Sequence, residues 1–195
     1  MTYNEICNAL ADADIENNRG EASMLICRFC NINKADLLLR HDEDFDCPEL
    51  TDAVAKRCQH YPLQYILGYW DFCHETYRVN ENTLIPRQDT EKLVELAVRL
   101  IPNNARIIDL CTGSGCVAIS TLAARQDCRA VAVDLFPETL EVARENAELR
   151  AQVQRQQGER QAQEQLNAWF KEAEQVKMLY PSFDFNKEAE NKAFT

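Results

Sequence analysis

The feature that most constrains this 195-residue chain is the stretch from Ile107 to Asp134. Short apolar runs at 106–110 and 130–134 predict two strands, and the segment 116–124 between them predicts a helix. A helix that connects two successive strands is the usual crossover between parallel strands. The pattern therefore predicts a nucleotide-binding half of an α/β fold.

The turn after the first strand indicates which ligand this half would take. Gly113 and Gly115 allow a tight turn and a close approach to a ligand, and the next helix presents free N–H groups. Asp134 follows the second strand, where an acid can accept the hydroxyls of an adenosine ribose. Asp109 opens the turn with a negative charge, which repels pyrophosphate and attracts a cation such as the sulfonium of S-adenosylmethionine. No Gly-Lys-Ser/Thr sequence follows the turn, so a Walker phosphate-binding loop is excluded. The alternative that stays open is a tight turn in some other α/β protein.

Composition excludes several classes of protein. The sequence is 46% hydrophobic and 27% charged, which is typical of a globular protein, and no apolar run is long enough to span a membrane. The first residues are acidic and lack the apolar core of a signal peptide. The net charge of −11 disfavours non-specific binding to nucleic-acid phosphates or to anionic lipid. We therefore expect a cytoplasmic protein without direct nucleic-acid or membrane partners.

Cysteine and histidine give no metal signature. Nine cysteines, an odd number without a secretion signal, indicate reduced thiols. Cys27 and Cys30 form a single C-x-x-C within a helical pattern, so we expect buried, inert helix cysteines rather than a zinc or redox site. His41, His60 and His74 are scattered without ligand spacing.

The patterning divides the chain into four segments. Residues 1–60 have apolar residues at helical spacing and predict a small bundle, with Asn33 as one N-cap. This segment is net acidic, either as a docking surface for a basic partner or as a solvated face. Residues 61–104 predict a hairpin linker from runs at 68–74 and 76–80 and then a helix at 90–100 capped by Asp89.

The last two segments are a partial Rossmann-like half at 105–150 and a helical tail at 151–195. Pro137 suits the first turn of a helix. Seven of the 18 residues from 151 to 168 are glutamine, and no strand candidate follows Asp134. An apolar stripe from Ala162 to Tyr180 predicts an amphipathic helix that stops before Pro181.

Three segments resemble a known family in the same order. Residues 62–68 (PLQYILG), 84–91 (LIPRQDTE) and 109–116 (DLCTGSGC) resemble the release-factor glutamine N5-methyltransferases. These enzymes use S-adenosylmethionine to methylate the glutamine of a Gly-Gly-Gln motif in class 1 peptide release factors. The resemblance covers residues 1 to about 150 and implies an N-terminal bundle that binds a release factor, a linking hairpin and a Rossmann-like catalytic domain.

The resemblance also implies site residues. It implies that the segment 111–115 wraps the methionine end of the cofactor and that Asp134 holds the ribose. The implied cofactor-binding set is Asp109, Cys111, Thr112, Gly113, Ser114, Gly115 and Asp134. By the same resemblance, Pro86, Arg87 and Thr90 flank the mouth of the active site.

One departure from the family bears on activity. The family's catalytic signature, Asn-Pro-Pro-Tyr at the end of the fourth strand, does not occur in the 195 residues. After about Leu149 the chain continues as Gln-rich helix instead of a third strand, so we expect an incomplete sheet with exposed apolar edges at 107–110 and 130–133. The sequence thus predicts a truncated relative without methyl transfer. A non-catalytic interaction protein and a junction of two reading frames remain open alternatives.

Overall fold

The computed structural model describes residues 1–40 and 42–179, and for residue 162 and residues 165–179 it describes the backbone alone. The chain divides into two units, one of Met1–Ala147 and one that begins at Glu148. Within the described residues, no helix combines the length and apolar character needed to cross a membrane. The elements form a mixed α/β arrangement with two small sheets.

Five helices occupy the N-terminal third of the chain. They are α1 (Tyr3–Asp12), α2 (Asn18–Phe29), α3 (Lys34–Leu39), α4 (Pro48–Cys58) and α5 (Leu63–Leu67). Their apolar faces enclose one core, in which Ile6, Leu25 and Leu50 have no exposed surface. The predicted cap at Asn33 is confirmed, since its side chain accepts the Asp36 N–H at 2.8 Å.

Two arginines join these helices to one another and to the segment after α5. Arg57 of α4 makes two hydrogen bonds to Glu21 of α2, and both side chains are mostly buried. Arg28 donates to the Leu67 carbonyl at 3.1 Å, and its guanidinium lies 5.3 Å from the centre of the Tyr69 ring.

The C-x-x-C cysteines differ from the expectation for this pair. Cys27 and Cys30 are half-buried rather than buried, because both lie near the end of α2, where the helix reaches the edge of the core. Burial still raises the pKa of both thiols.

The predicted hairpin is confirmed, with shorter strands than the sequence indicated. Strand β1 (Tyr69–Phe72) pairs antiparallel with β2 (Glu75–Arg78). The two-residue turn, Cys73 and His74, has positive φ at both positions, as a primed turn requires.

Helix α6 (Gln88–Leu100) starts earlier than predicted. Its N-cap is Arg87, and Asp89 lies inside the first turn, so the prediction of Asp89 as the cap is wrong. Asp89 and Glu91 still suit this position, since negative charge near a helix N-terminus complements the helix dipole.

The α/β half contains the elements that the sequence predicted. Strand β3 (Arg106–Leu110) pairs in parallel with β4 (Arg129–Val133), and α7 (Cys116–Ala124) connects them. Helix α8 runs from Pro137 to Leu179. The change in sequence near Leu149 therefore does not interrupt the helical backbone. The predicted stop at Tyr180 and the side chains of the apolar stripe beyond 164 lie outside the described residues.

One face of this two-stranded sheet is exposed. Ile108 and Leu110 of β3 and Val131 of β4 keep more than half of their surface exposed. Ile107 and Ala130, which point to the opposite face, are half-buried. Ala132, on this same opposite face, is exposed, so that face is covered only in part.

Candidate cofactor site

The segment between β3 and α7 brings most of the predicted site residues together. The Thr112 N–H donates to the Val133 carbonyl at 3.0 Å, which continues the pairing with β4 beyond the end of β3. The Gly115 N–H then donates to the Thr112 carbonyl at 2.9 Å and closes a tight turn. These bonds fix residues 111–115 at the carboxyl ends of both strands, where ligands bind in open α/β sheets.

Backbone geometry explains the glycines. Gly113 and Gly115 have φ of 59° and 80°, in the left-handed region that glycine enters without strain. A β-carbon on Gly113 would meet no atom within 4 Å, so its backbone borders open space. A β-carbon on Gly115 would lie 3.0 Å from the Ile119 Cδ1 and 3.3 Å from the Ala143 Cβ. The first glycine leaves a cradle open to a ligand, and the second allows α7 and α8 to approach closely.

Cys111 is the exception in this turn, because it is a non-glycine residue with a φ of 59°. It is also the exposed cysteine among the nine. Backbone strain of this kind is found most often at binding and active sites.

Asp109 holds the turn through one of its two oxygens. Its Oδ2 accepts the Thr112 hydroxyl at 2.8 Å and the Ala118 N–H of α7 at 3.2 Å. Both described hydrogen bonds use Oδ2, so Oδ1 is available to a further donor. The carboxylate thus positions the loop and also supplies negative charge at its base.

Asp134 joins the end of β4 to the same turn. Its Oδ2 accepts the Gly113 N–H at 3.0 Å, and its Oδ1 accepts the N–H groups of Leu135 and Phe136 at 2.8 and 3.4 Å. A carboxylate offers about four acceptor positions, so capacity for a ligand hydroxyl remains. Leu135 and Phe136 are 82% and 60% exposed, which places apolar surface directly beside this acid.

Asn146 is a residue of this region that the sequence analysis missed. Its Nδ2 donates to the Ser114 carbonyl at 2.8 Å and to the Arg78 carbonyl at 3.0 Å, and its Oδ1 accepts the Arg78 N–H at 2.7 Å. It is 4% exposed on the same side of α8 as the buried Val142 and Ala143. A polar residue on an apolar helix face was the available signal, and the side chain locks the turn to the hairpin.

Buried groups below the turn are held in their neutral forms. Burial raises the pKa of the Cys116 thiol, against a smaller opposing effect of the Ser114 hydroxyl. Burial also raises the pKa of Tyr77 to about 12, and its hydroxyl shares a 2.6 Å hydrogen bond with Ser120. These groups support the site and carry no charge near neutral pH.

The other three predicted residues lie at the start of α6. Pro86 is buried, Arg87 is exposed, and the Thr90 N–H donates to the Arg87 carbonyl at 2.9 Å. In the described part of the chain, no hydrogen bond or ion pair joins their side chains to the turn at 109–115. The structure therefore brings together the seven predicted cofactor residues and does not connect these three to them.

Comparison with known proteins adds a family match. Residues 2–68 match the family model that is described as the PrmC N-terminal domain. The release factor glutamine methyltransferase of Nitratidesulfovibrio vulgaris is 35% identical over 150 residues, which cover 75% of this chain and 51% of the relative. That of Geobacter sulfurreducens is 35% identical over 142 residues, covering 71% and 50%. That of Bacteroides thetaiotaomicron is 38% identical over 136 residues, covering 67% and 49%.

The chain spans about half the length of the curated relatives it matches. The matched domain coincides with the helices α1 to α5, and the matches at this identity extend over about 70% of the chain. Over that portion of its length, the sequence of this chain is similar to those of the release factor glutamine methyltransferases.

Proposed function

We propose that the Met1–Ala147 unit binds S-adenosylmethionine at the turn between β3 and α7. The observation that carries this proposal is the bond from the Gly113 N–H to Asp134, which sets two carboxylates around one open turn. Asp109 Oδ1 would accept the methionine ammonium, and Asp134 would accept the ribose hydroxyls. The exposed Leu135 and Phe136 would provide apolar surface for the adenine ring.

The charge of the site supports a cationic cofactor over a dinucleotide. A pyrophosphate at the turn would lie beside Asp109 and be repelled by it, whereas a sulfonium is attracted. Bound S-adenosylmethionine supplies a methyl group activated by the positively charged sulfur. The residues of this chain bind and orient that cofactor through the turn.

We further propose a class 1 release factor as the partner. The match at residues 2–68 and the names of the relatives support this partner. The helices α1 to α5 have a core of their own, which supports a binding role for this part of the chain without catalysis.

We also propose that the 195-residue chain does not complete methyl transfer. The sequence contains no Asn-Pro-Pro-Tyr, the motif in which the resemblance places the groups that grip the target glutamine amide. Without those groups the weakly nucleophilic amide is not oriented for in-line attack. An assay with labelled cofactor and a release factor should give no incorporation above the uncatalysed background, and turnover would contradict this part of the proposal.

An Asp134→Asn variant tests the cofactor site. This change replaces one carboxylate oxygen by an NH2 group, which is a donor and cannot accept the backbone N–H groups that Asp134 accepts. It also removes the negative charge of the side chain. We expect affinity for S-adenosylhomocysteine to fall at least about tenfold, or about 1.4 kcal/mol. Glu138→Gln, an exposed charge change in the first turn of α8, is the matched control and should bind like the parent. Equal loss in both variants, or no loss in Asp134→Asn, would refute the assignment.

A further inference from the structure

Two cysteines from different helices meet at the edge of the core formed by α1 to α5. Cys30 is the C-cap of α2 and Cys47 is the N-cap of α4. Both are half-buried and pack against that core. The fold therefore brings together two thiols that are separated along the chain by α3.

The Cys30 and Cys47 thiols are in contact. The Cys47 S–H donates to the carbonyl of Phe29, the residue before Cys30, at 3.5 Å. The two thiols also lie within hydrogen-bond distance of each other. Burial raises the pKa of Cys30, and the neighbouring Cys47 raises it further. Cys30 is therefore a protonated thiol near neutral pH that lies beside a second thiol.

We propose that Cys30 and Cys47 form a reversible disulfide, with a small-molecule disulfide such as oxidised glutathione as the oxidant. One protein thiolate attacks a glutathione sulfur, which breaks the glutathione S–S bond and releases one glutathione. The second protein thiolate then attacks the protein sulfur of this mixed disulfide and releases the other glutathione. The protein loses two electrons and two protons, and the two released glutathione thiols gain them.

The disulfide closes a loop that contains α3 and ties the end of α2 to the start of α4. Such a cross-link stabilises a fold mainly by restricting the unfolded chain. It also lies next to a cavity of about 550 Å³, which Phe29 and Glu49 both line. Each of these two residues lies within two positions of one of the cysteines. Oxidation therefore fixes two walls of the cavity relative to each other.

Equilibration of the chain with mixtures of reduced and oxidised glutathione, followed by alkylation and trypsin digestion, tests this proposal. Trypsin separates the nearby cysteines, because Cys27 falls in residues 20–28, Cys30 in 29–34 and Cys47 in 41–56. A linked pair of the last two peptides, which a reductant separates, should be the main protein disulfide. Because the fold holds the two thiols in contact, the equilibrium constant for this link should be at least about tenfold larger in the folded chain than in urea.

The urea midpoint provides a second readout with a matched control. Oxidising conditions should raise this midpoint in the parent chain and leave it unchanged in Cys47→Ser. Cys58→Ser is the control, since Cys58 of α4 is also half-buried but its thiol donates to the Ala9 carbonyl at 3.5 Å. It should respond to oxidation like the parent.

Three results from the parent chain would overturn the proposal. They are the absence of the linked peptides with oxidised glutathione alone, Cys27 instead of Cys30 as the main partner of Cys47, and an equilibrium constant that is no larger in the folded chain than in urea. These results need no variant, so the test holds even if a serine variant fails to fold. None of them depends on binding of a cofactor or a release factor.

Discussion

At the scale of single residues, Gly113 and Gly115 are required for different physical reasons within one turn. Both have positive φ, but Gly113 borders open space and Gly115 lies against Ile119 and Ala143. The same chemical change at each position therefore separates backbone strain from packing.

Alanine at each glycine should give unequal losses of stability. Gly113→Ala carries left-handed strain alone and should cost about 1 kcal/mol. Gly115→Ala adds contacts at 3.0 to 3.4 Å with α7 and with the backbone of α8, and should cost about 2 to 4 kcal/mol in total. Urea unfolding measures both, and similar losses in the two variants would show that packing against α8 is not what selects glycine at 115.

At the scale of elements, Asn146 connects three pieces of the fold that are distant in sequence. It joins α8 to β2 and to the loop before α7, across separations of 68 and 32 residues. Arg125 acts similarly at the other end of the sheet, where it donates to the Val98 and Ile101 carbonyls at the end of α6. Polar side chains with little exposed surface thus set how the elements meet.

Removal of the Asn146 side chain should loosen the turn. Asn146→Ala leaves the buried Ser114 carbonyl and the part-buried N–H and carbonyl of Arg78 without these partners, at a cost of about 2 to 3 kcal/mol. Chemical denaturation of this variant is compared with Asn8→Ala, an exposed position on α1 that should change stability by about 0.5 kcal/mol or less. A loss in Asn146→Ala no larger than in Asn8→Ala would contradict the anchoring role.

Local signals explain which elements the sequence predicted well. The bounds of β3 and α7 were predicted to the residue, since an apolar run and a glycine turn mark them within the chain itself. The start of α6 was not predicted correctly, because Arg87 caps this helix through its backbone conformation and without a side-chain hydrogen bond. Asn146 was missed because its partners come from other elements.

At the scale of the whole molecule, the chain combines an intact helical core with a sheet of two strands. The core of α1 to α5 has several side chains without exposed surface, whereas the sheet leaves one apolar face exposed. Larger parallel sheets are covered on both faces. Cofactor binding therefore depends on whether the two-strand layer is ordered enough to hold its turn.

Calorimetric titration of the chain with S-adenosylhomocysteine, and in parallel with NAD, tests the central claim most directly. We expect S-adenosylhomocysteine to bind with a dissociation constant near 1 µM, about −8 kcal/mol. We expect no binding of NAD, because Asp109 repels its pyrophosphate. Absence of S-adenosylhomocysteine binding up to about 1 mM, about −4 kcal/mol, or tighter binding of NAD, would contradict the cofactor site proposed for this turn.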